Sequence, residues 1–162
     1  MYKRQVKAFT QAPVDRELYV EMPLGFDREG WVLRLHKALE GIKQGAFLWF
    51  KLNKFAWNKV GCHSSMSEPN LYTHSELPIV AAVFADDVAV AFDGGHRAAY
   101  LAIRAEYAKI INIDALGPER TVSVSLFTGV EVTRDRAKGT LHLSMGKYLS
   151  KLGTSTARRS SA

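Results

Sequence analysis

The sequence predicts an α+β protein in which an antiparallel sheet carries helices on one face. Short Val-rich runs alternate with two segments of helical periodicity, and turn-forming residues separate them. Strand and helix blocks interleave through connections short enough for antiparallel pairing, which is typical of this class. A chain of 162 residues is long enough to form one domain with a substantial core.

Composition and charge narrow the functional classes. The net charge of +6 and the pI of about 9.5 suit a polyanionic partner. The single cysteine, Cys62, excludes an internal disulfide, and no apolar run reaches the ~18 residues that span a bilayer. Since the basic N-terminus also lacks an apolar signal core, we expect an intracellular location without membrane partners. The sequence does not indicate an oligomeric state.

The N-terminal third contains short strands punctuated by Pro and Gly. We expect strands over residues 6–9, 18–20 and 31–35 and a loop over 22–30. Pro13 and Asp15 indicate a turn or the first turn of a short helix.

Gly45–Lys59 has the clearest helical pattern, because Leu48, Trp49, Leu52, Phe55 and Ala56 recur on one face of a 3.6-residue period. Lys51 and Lys54 fall on the opposite face, which is either a solvated helix surface or a surface that binds phosphates.

The run IVAAVFADDVAVAF at residues 79–92 is the most apolar part of the chain. It predicts two buried strands joined by a tight hairpin with Asp86 and Asp87 at the tip. Two carboxylates at an exposed tip repel by only about 0.7 kcal/mol in water, so a solvated turn is one interpretation. If the tip faces a cleft, the natural partner is a divalent cation such as Mg²⁺.

The remaining segments are shorter and less regular. We expect a polar connection over 62–69, a strand over 71–73 and a helix over 96–109. β-Structure is expected over 121–133, with a bulge or close backbone approach at Gly129, followed by a charged turn over 134–139 and a strand over 141–144. The chain then continues with an expected helix over 146–152 and a disordered tail over 153–162. The spacing of Cys62, His63 and His74 fits no zinc pattern.

Seven blocks of the sequence, taken in order, resemble the reverse transcriptase of copia-type LTR retrotransposons. The turn FADD at residues 84–87 resembles that family's Tyr-Val-Asp-Asp box, and LHKALEGIKQ at 35–44 resembles its LxKALYGLKQ block. The other blocks are AFTQAPVDRELYVEMPLGF (8–26), EPNLY (68–72), LGP (116–118), GVEV (129–132) and GTLHLS (139–144). Each is weak alone, but seven in the same order are specific.

The resemblance implies a polymerase palm over residues 1–152, with incomplete fingers and no thumb. It implies RNA-directed DNA synthesis on a template–primer of RNA or DNA, with deoxynucleoside triphosphates and Mg²⁺ or Mn²⁺ held by catalytic residues in a two-metal site. By the same resemblance, residues are assigned to the metals (Asp86, Asp87), to the incoming nucleotide (Lys43, Gln44, Phe84) and to nucleic acid (Lys51, Lys54, Phe127, Gly129).

One departure from the family bears on activity. The family carries a third carboxylate just before its first AF strand, and this position falls on Arg4 or Gln5 here. Two metal ions carry four positive charges, so the loss of a bridging carboxylate is expected to remove most of the rate. Two hypotheses follow: a working RNA-directed DNA polymerase palm, or a catalytically dead retroelement remnant that retains nucleic-acid binding. We favour the remnant.

Overall fold

A computed structural model describes residues 2–4, 7–26, 28–113, 124–135, 137–146, 148–150 and 152, with the backbone alone at 2–4 and 124–127. The strands are β1 (Tyr2–Arg4), β2 (Pro13–Glu21), β3 (Val32–Lys37), β4 (Cys62–Ser64), β5 (Leu71–His74), β6 (Ile79–Phe84), β7 (Asp87–Phe92), β8 (Val124–Phe127), β9 (Val130–Asp135) and β10 (Thr140–Ser144). The helices are α1 (Gly45–Lys59) and α2 (Arg97–Ala108), with 3-10 turns at Phe9–Gln11 and Gly94–His96. The predicted tail 153–162 lies outside the described residues.

The strands form three antiparallel sheets, which agrees with the predicted α+β class although a single sheet was expected. The largest has five strands in the order β1-β7-β6-β5-β4, so the predicted hairpin of β6 and β7 occupies its interior. A second sheet has the order β10-β9-β8, and β2 pairs with β3 alone. None of the described helices is long and apolar enough to cross a membrane.

The β6–β7 hairpin has one buried face and one open face. Ile79, Ala81 and Val83 of β6 are buried, and they lie opposite Phe92, Val90 and Val88 of β7. The intervening positions of both strands, from Val80 to Phe84 and from Asp87 to Ala91, are more accessible to solvent. Because both helices add side chains to the same core as the buried face, they cover that side of the sheet.

Aromatic side chains join the two helices to the sheet. Trp57 of α1 stacks on Tyr72 of β5 with ring centroids 5.7 Å apart, and it contacts Tyr107 of α2 at 4.5 Å. The Tyr107 hydroxyl donates a 2.6 Å hydrogen bond to Oδ1 of Asn53, which is 2% exposed. A buried amide is tolerated because this bond satisfies its oxygen.

Two predictions near the N-terminus are wrong. Within the predicted strand 6–9, Ala8 and Phe9 lead into the 3-10 turn, residue 6 is outside the described part, and the strand lies earlier at Tyr2–Arg4. The predicted turn at Pro13 and Asp15 is part of β2 instead. Pro13 is the first residue of that strand, where a missing N–H is tolerated, and the pairing with β3 is irregular between Pro13 and Leu18.

The helix over 45–59 is confirmed to the residue, but its buried face is rotated from the predicted one. Phe55 is 51% exposed, whereas Asn53 and Trp57 are buried. Apolar residues surround much of this helix, so periodicity alone does not fix which ones face the core.

Several later elements also differ from expectation. The connection predicted over 62–69 begins with strand β4, and the second helix starts at Arg97, after a 3-10 turn. Gly129 sits with Thr128 in a turn between β8 and β9 rather than at a bulge, and β9 continues to Asp135. Residues 146, 148–150 and 152 are helical, as predicted.

The buried hydroxyl of Tyr107 provides a test of the core. Tyr107→Phe removes the hydrogen bond to Asn53, and we expect the free energy of unfolding to fall by about 0.5–1.5 kcal/mol, the usual net contribution of one such bond. Urea denaturation measures the change. Tyr19→Phe is the matched control, because Tyr19 is 52% exposed and its hydroxyl donates to the exposed Glu17. Equal losses in the two variants would contradict the proposed role of the buried bond.

The ionisation of Cys62 makes the free energy of unfolding depend on pH in the alkaline range. Burial raises the pKa of the Cys62 thiol from 9.0 to about 11. The unfolded chain therefore loses this proton at a lower pH than the folded chain, so stability falls as pH rises from about 9 to 11. Between pH 8 and pH 10 this thiol is expected to account for about 1 kcal/mol.

The measurement compares urea midpoints of the unaltered chain and Cys62→Ala at both pH values. Burial also raises the pKa of Tyr72 to about 12. That contribution is common to both proteins and cancels in the comparison. The same loss of stability in both proteins would show that Cys62 does not titrate as described.

Candidate functional site

The acidic pair lies at the end of the β6–β7 hairpin. Phe84 and Asp87 are paired across the two strands, so the connecting turn consists of Ala85 and Asp86. The prediction had placed both carboxylates at the tip, but Asp87 is the first residue of β7. Ala85, and not an aspartate, has the left-handed conformation, with a φ of 50°. This conformation disfavours residues with a Cβ, and such strain is concentrated at functional sites.

A tryptophan of α1 holds this turn in place. The indole Nε1 of Trp49 donates a 2.8 Å hydrogen bond to the carbonyl oxygen of Ala85. Trp49 is only 3% exposed, so its ring is fixed by the core while its N–H reaches the turn. Sequence periodicity had assigned Trp49 to the apolar face alone. A tryptophan at that position needs a partner for its N–H, which was the available signal for this contact.

The turn between β8 and β9 approaches Asp87 from a second sheet. The backbone N–H of Thr128 donates to Oδ2 of Asp87 at 3.3 Å, slightly longer than the usual range for such a bond. Thr128 and Gly129 both have positive φ, 51° and 85°, as a tight two-residue hairpin turn requires. The family resemblance assigned Phe127 and Gly129 to nucleic acid, and Thr128, which lies between them, makes the contact with Asp87.

The first strand brings a basic residue to the same place. In the pairing of β1 with β7, Arg4 is directly opposite Asp87. Of the two positions considered for the missing third carboxylate, Arg4 is thus the cross-strand neighbour of the acidic pair, and Gln5 is outside the described residues. Within the described ranges, no three His, Cys, Asp or Glu side chains are grouped closely enough to hold a metal ion.

The residues assigned to the nucleotide by resemblance lie at the end of β6 and just before α1. Phe84 ends β6 next to the turn and is 62% exposed. Gln44 immediately precedes α1, and its Oε1 accepts a 2.9 Å hydrogen bond from the Arg16 guanidinium. Lys43 is exposed beside it. Because Trp49 belongs to the same end of α1, this end of the helix and the acidic turn are connected through one hydrogen bond.

Lys51 and Lys54 point away from the core on the exposed side of α1, as predicted. Each ammonium lies over a phenylalanine ring one helical turn earlier: Lys51 over Phe47 at 4.5 Å and Lys54 over Phe50 at 6.0 Å. They form a surface separate from the buried side of α1 that contacts the hairpin.

One surface depression does not involve the acidic turn. Its volume is about 370 Å³, and it is formed by the loop between β2 and β3 with the start of β3. None of the predicted site residues lines it. Its lining residues are Met22, Gly25, Phe26, Arg28, Trp31, Val32 and Leu33.

Comparison with known proteins agrees with the motif order. The putative transposon Ty5-1 protein of Saccharomyces cerevisiae is 29% identical over 149 residues, which is 89% of this chain and 46% of that protein. The Pol polyprotein from transposon TNT 1-94 of Nicotiana tabacum is 26% identical over 152 residues, 90% of this chain and 11% of the polyprotein. The Pol polyprotein from transposon RE2 of Arabidopsis thaliana is 29% identical over 150 residues, 87% of this chain and 9% of the polyprotein.

The chain thus spans less than half the length of these relatives. No solved structure matches it significantly. Residues 4–156 match the family model described as reverse transcriptase (RNA-dependent DNA polymerase), which covers nearly all of the sequence. The resemblance found in the motifs is therefore confirmed, and the chain belongs to the reverse transcriptase family as a domain of the copia-type retrotransposon class.

Proposed function

We propose that the chain is the palm portion of a retrotransposon reverse transcriptase, which binds an RNA or DNA primer–template but has lost nucleotidyl transfer. The observation that carries this proposal is the register of β1 and β7, with Arg4 opposite Asp87. Residues directly opposite in an antiparallel pair are close neighbours. A permanent cation therefore occupies the strand position next to the acidic pair, which is one of the two positions, Arg4 or Gln5, on which the family's acid falls by resemblance.

The metal chemistry of the family does not fit these residues. Two divalent cations supply the activation of the attacking oxygen and the stabilisation of the leaving group when both are bound. Asp86 and Asp87 offer hard oxygen ligands that suit a single Mg²⁺ or Mn²⁺. A second cation needs further acidic ligands, and the described residues supply no third one near the pair. We therefore propose no transfer step through a two-metal centre in this chain.

The remaining assignments concern binding. We propose that Lys43 and Gln44 face the phosphates of a nucleotide at the start of α1, with Arg16 orienting the Gln44 amide. Phe84 lies next to the acidic turn and would contact the sugar or base. Phe127 and Gly129 flank Thr128, whose N–H contacts Asp87, so this turn would border the primer end.

An active polymerase is the second candidate function. The left-handed Ala85 favours it, because strain at a turn persists where the surrounding structure imposes it and is typical of catalytic sites. The hydrogen bond from Trp49 imposes that geometry here.

Primer extension on an RNA template separates the two candidates. We expect no extension by the unaltered chain with Mg²⁺ or Mn²⁺, because Arg4 cannot serve as a metal ligand. Arg4→Asp restores an acid at that position and should produce extension that a second substitution, Asp86→Asn, removes. If the unaltered chain extends the primer and Asp86→Asn alone abolishes this, the active polymerase is correct instead.

Mn²⁺ binding gives the same comparison a readout that does not depend on activity. Paramagnetic broadening of the Asp86 and Asp87 amide signals should begin at a lower Mn²⁺ concentration in Arg4→Asp than in the unaltered chain. Identical titrations of the two proteins would be inconsistent with an inhibitory role for Arg4.

Nucleic-acid binding by α1 predicts a defined salt dependence. If Lys51 and Lys54 each contact one phosphate, Lys51→Gln with Lys54→Gln should lower the slope of log affinity against log salt by about 1.8 for duplex DNA. The matched control is Lys109→Gln with Lys138→Gln, which removes the same charge from lysines that already face Glu106 and Asp135. Fluorescence anisotropy measures both. A slope that changes equally in the two double variants would assign the effect to net charge alone.

A further inference from the structure

The outer side of α1 combines aromatic rings and positive charges in a regular pattern. Three phenylalanines are each followed four residues later by a lysine whose ammonium lies over the ring. The pairs are Phe47–Lys51 at 4.5 Å, Phe50–Lys54 at 6.0 Å and Phe55–Lys59 at 5.4 Å. Positions four apart are neighbours on a helix surface, so the three pairs form one continuous stripe. We call these six residues the Phe–Lys stripe.

Two of the three rings of this stripe are open to solvent, and Phe50 is partly buried. Phe47 is 54% exposed and Phe55 is 51% exposed, although other apolar residues of the same helix are almost fully buried. The buried apolar side chains that α1 contributes to the core are those of Leu48, Trp49, Ala56 and Trp57. Phe47 and Phe55 lie outside the core. Their exposure therefore leaves two π-faces available along about 12 Å of helix.

All of the charged residues along α1 are positive. The sequence from Gly45 to Lys59 contains three lysines and no acidic residue. Such a surface attracts a polyanion, and the interleaved rings add a preference for one with exposed aromatic faces. Single-stranded nucleic acid has both properties, whereas the bases of a duplex are stacked on one another and are not available.

We propose that the Phe–Lys stripe is a stacking platform for a single-stranded nucleic acid, such as the template beyond the primer–template duplex. Bases would stack on Phe47 and Phe55, and the lysines would bind the intervening phosphates. Base stacking on an aromatic side chain is more favourable than an exposed cation–π contact, so a base can displace the ammonium from the ring. The displaced ammonium remains within reach of the adjacent phosphate. This inference deepens the proposed binding function and rests on it.

The test separates stacking from charge. Phe47→Leu with Phe55→Leu retains apolar side chains and all three lysines but removes the two π-faces. Binding is measured by fluorescence anisotropy with a labelled oligothymidylate of about twelve nucleotides and with a blunt duplex of the same length. The matched control is Phe26→Leu, which alters an exposed ring, 71% accessible, in the loop between β2 and β3.

We expect the double variant to bind the oligothymidylate about 5- to 150-fold more weakly for each base that stacks, with duplex affinity and salt dependence unchanged. Its thermal unfolding should match that of the unaltered chain because both rings are half-exposed. Unchanged oligothymidylate binding with intact duplex binding would overturn the platform and leave the proposed function in place. Equal losses for both ligands would also overturn it. If the unaltered chain binds neither ligand, the proposed function fails as well.

Discussion

The hydrogen bond from the Trp49 indole to the Ala85 carbonyl links the two parts of the molecule that matter most for its chemistry. One partner belongs to a core that includes both helices and the buried face of the large sheet. The other is the residue whose left-handed backbone sets the direction of the acidic turn. Any shift of α1 against the sheet would therefore displace Asp86. The position of the acidic turn depends on how α1 packs against the large sheet.

The same hairpin is the meeting point of otherwise separate sheets. β7 receives β1 along its edge, and its first residue accepts the Thr128 N–H from the turn of the three-stranded sheet. Asp87 thus belongs to β7, pairs with β1 and accepts a hydrogen bond from the turn between β8 and β9. Asp86 and Asp87 are both present on this hairpin, and Arg4 lies at the strand position opposite Asp87. Buried apolar packing holds the hairpin that carries them.

Local sequence patterns predicted the parts of this fold that depend on residues close together in the sequence. The hairpin of β6 and β7 and the limits of α1 follow from periodicity and turn chemistry. The neighbours of Asp87 were not predictable in that way. A strand register places Arg4 opposite Asp87 and a hydrogen bond brings Thr128 to it, and both come from segments distant in the sequence. Phe55 shows a second limit. Its helix carries more apolar residues than the core accommodates, and only packing against the sheet decides which are excluded.

The large sheet is also built so that its strands shorten toward the outside. β6 and β7 have six residues each, whereas the bounding strands β1 and β4 have three each in the part of the chain that the structure describes. An exposed sheet edge invites pairing with another polypeptide, and a short edge offers few backbone groups for it. The most apolar and β-prone segment, the β6–β7 hairpin, therefore lies between edge strands that offer few backbone groups for pairing with another chain. This arrangement protects against aggregation, and it does so without drawing on the acidic turn or its neighbours.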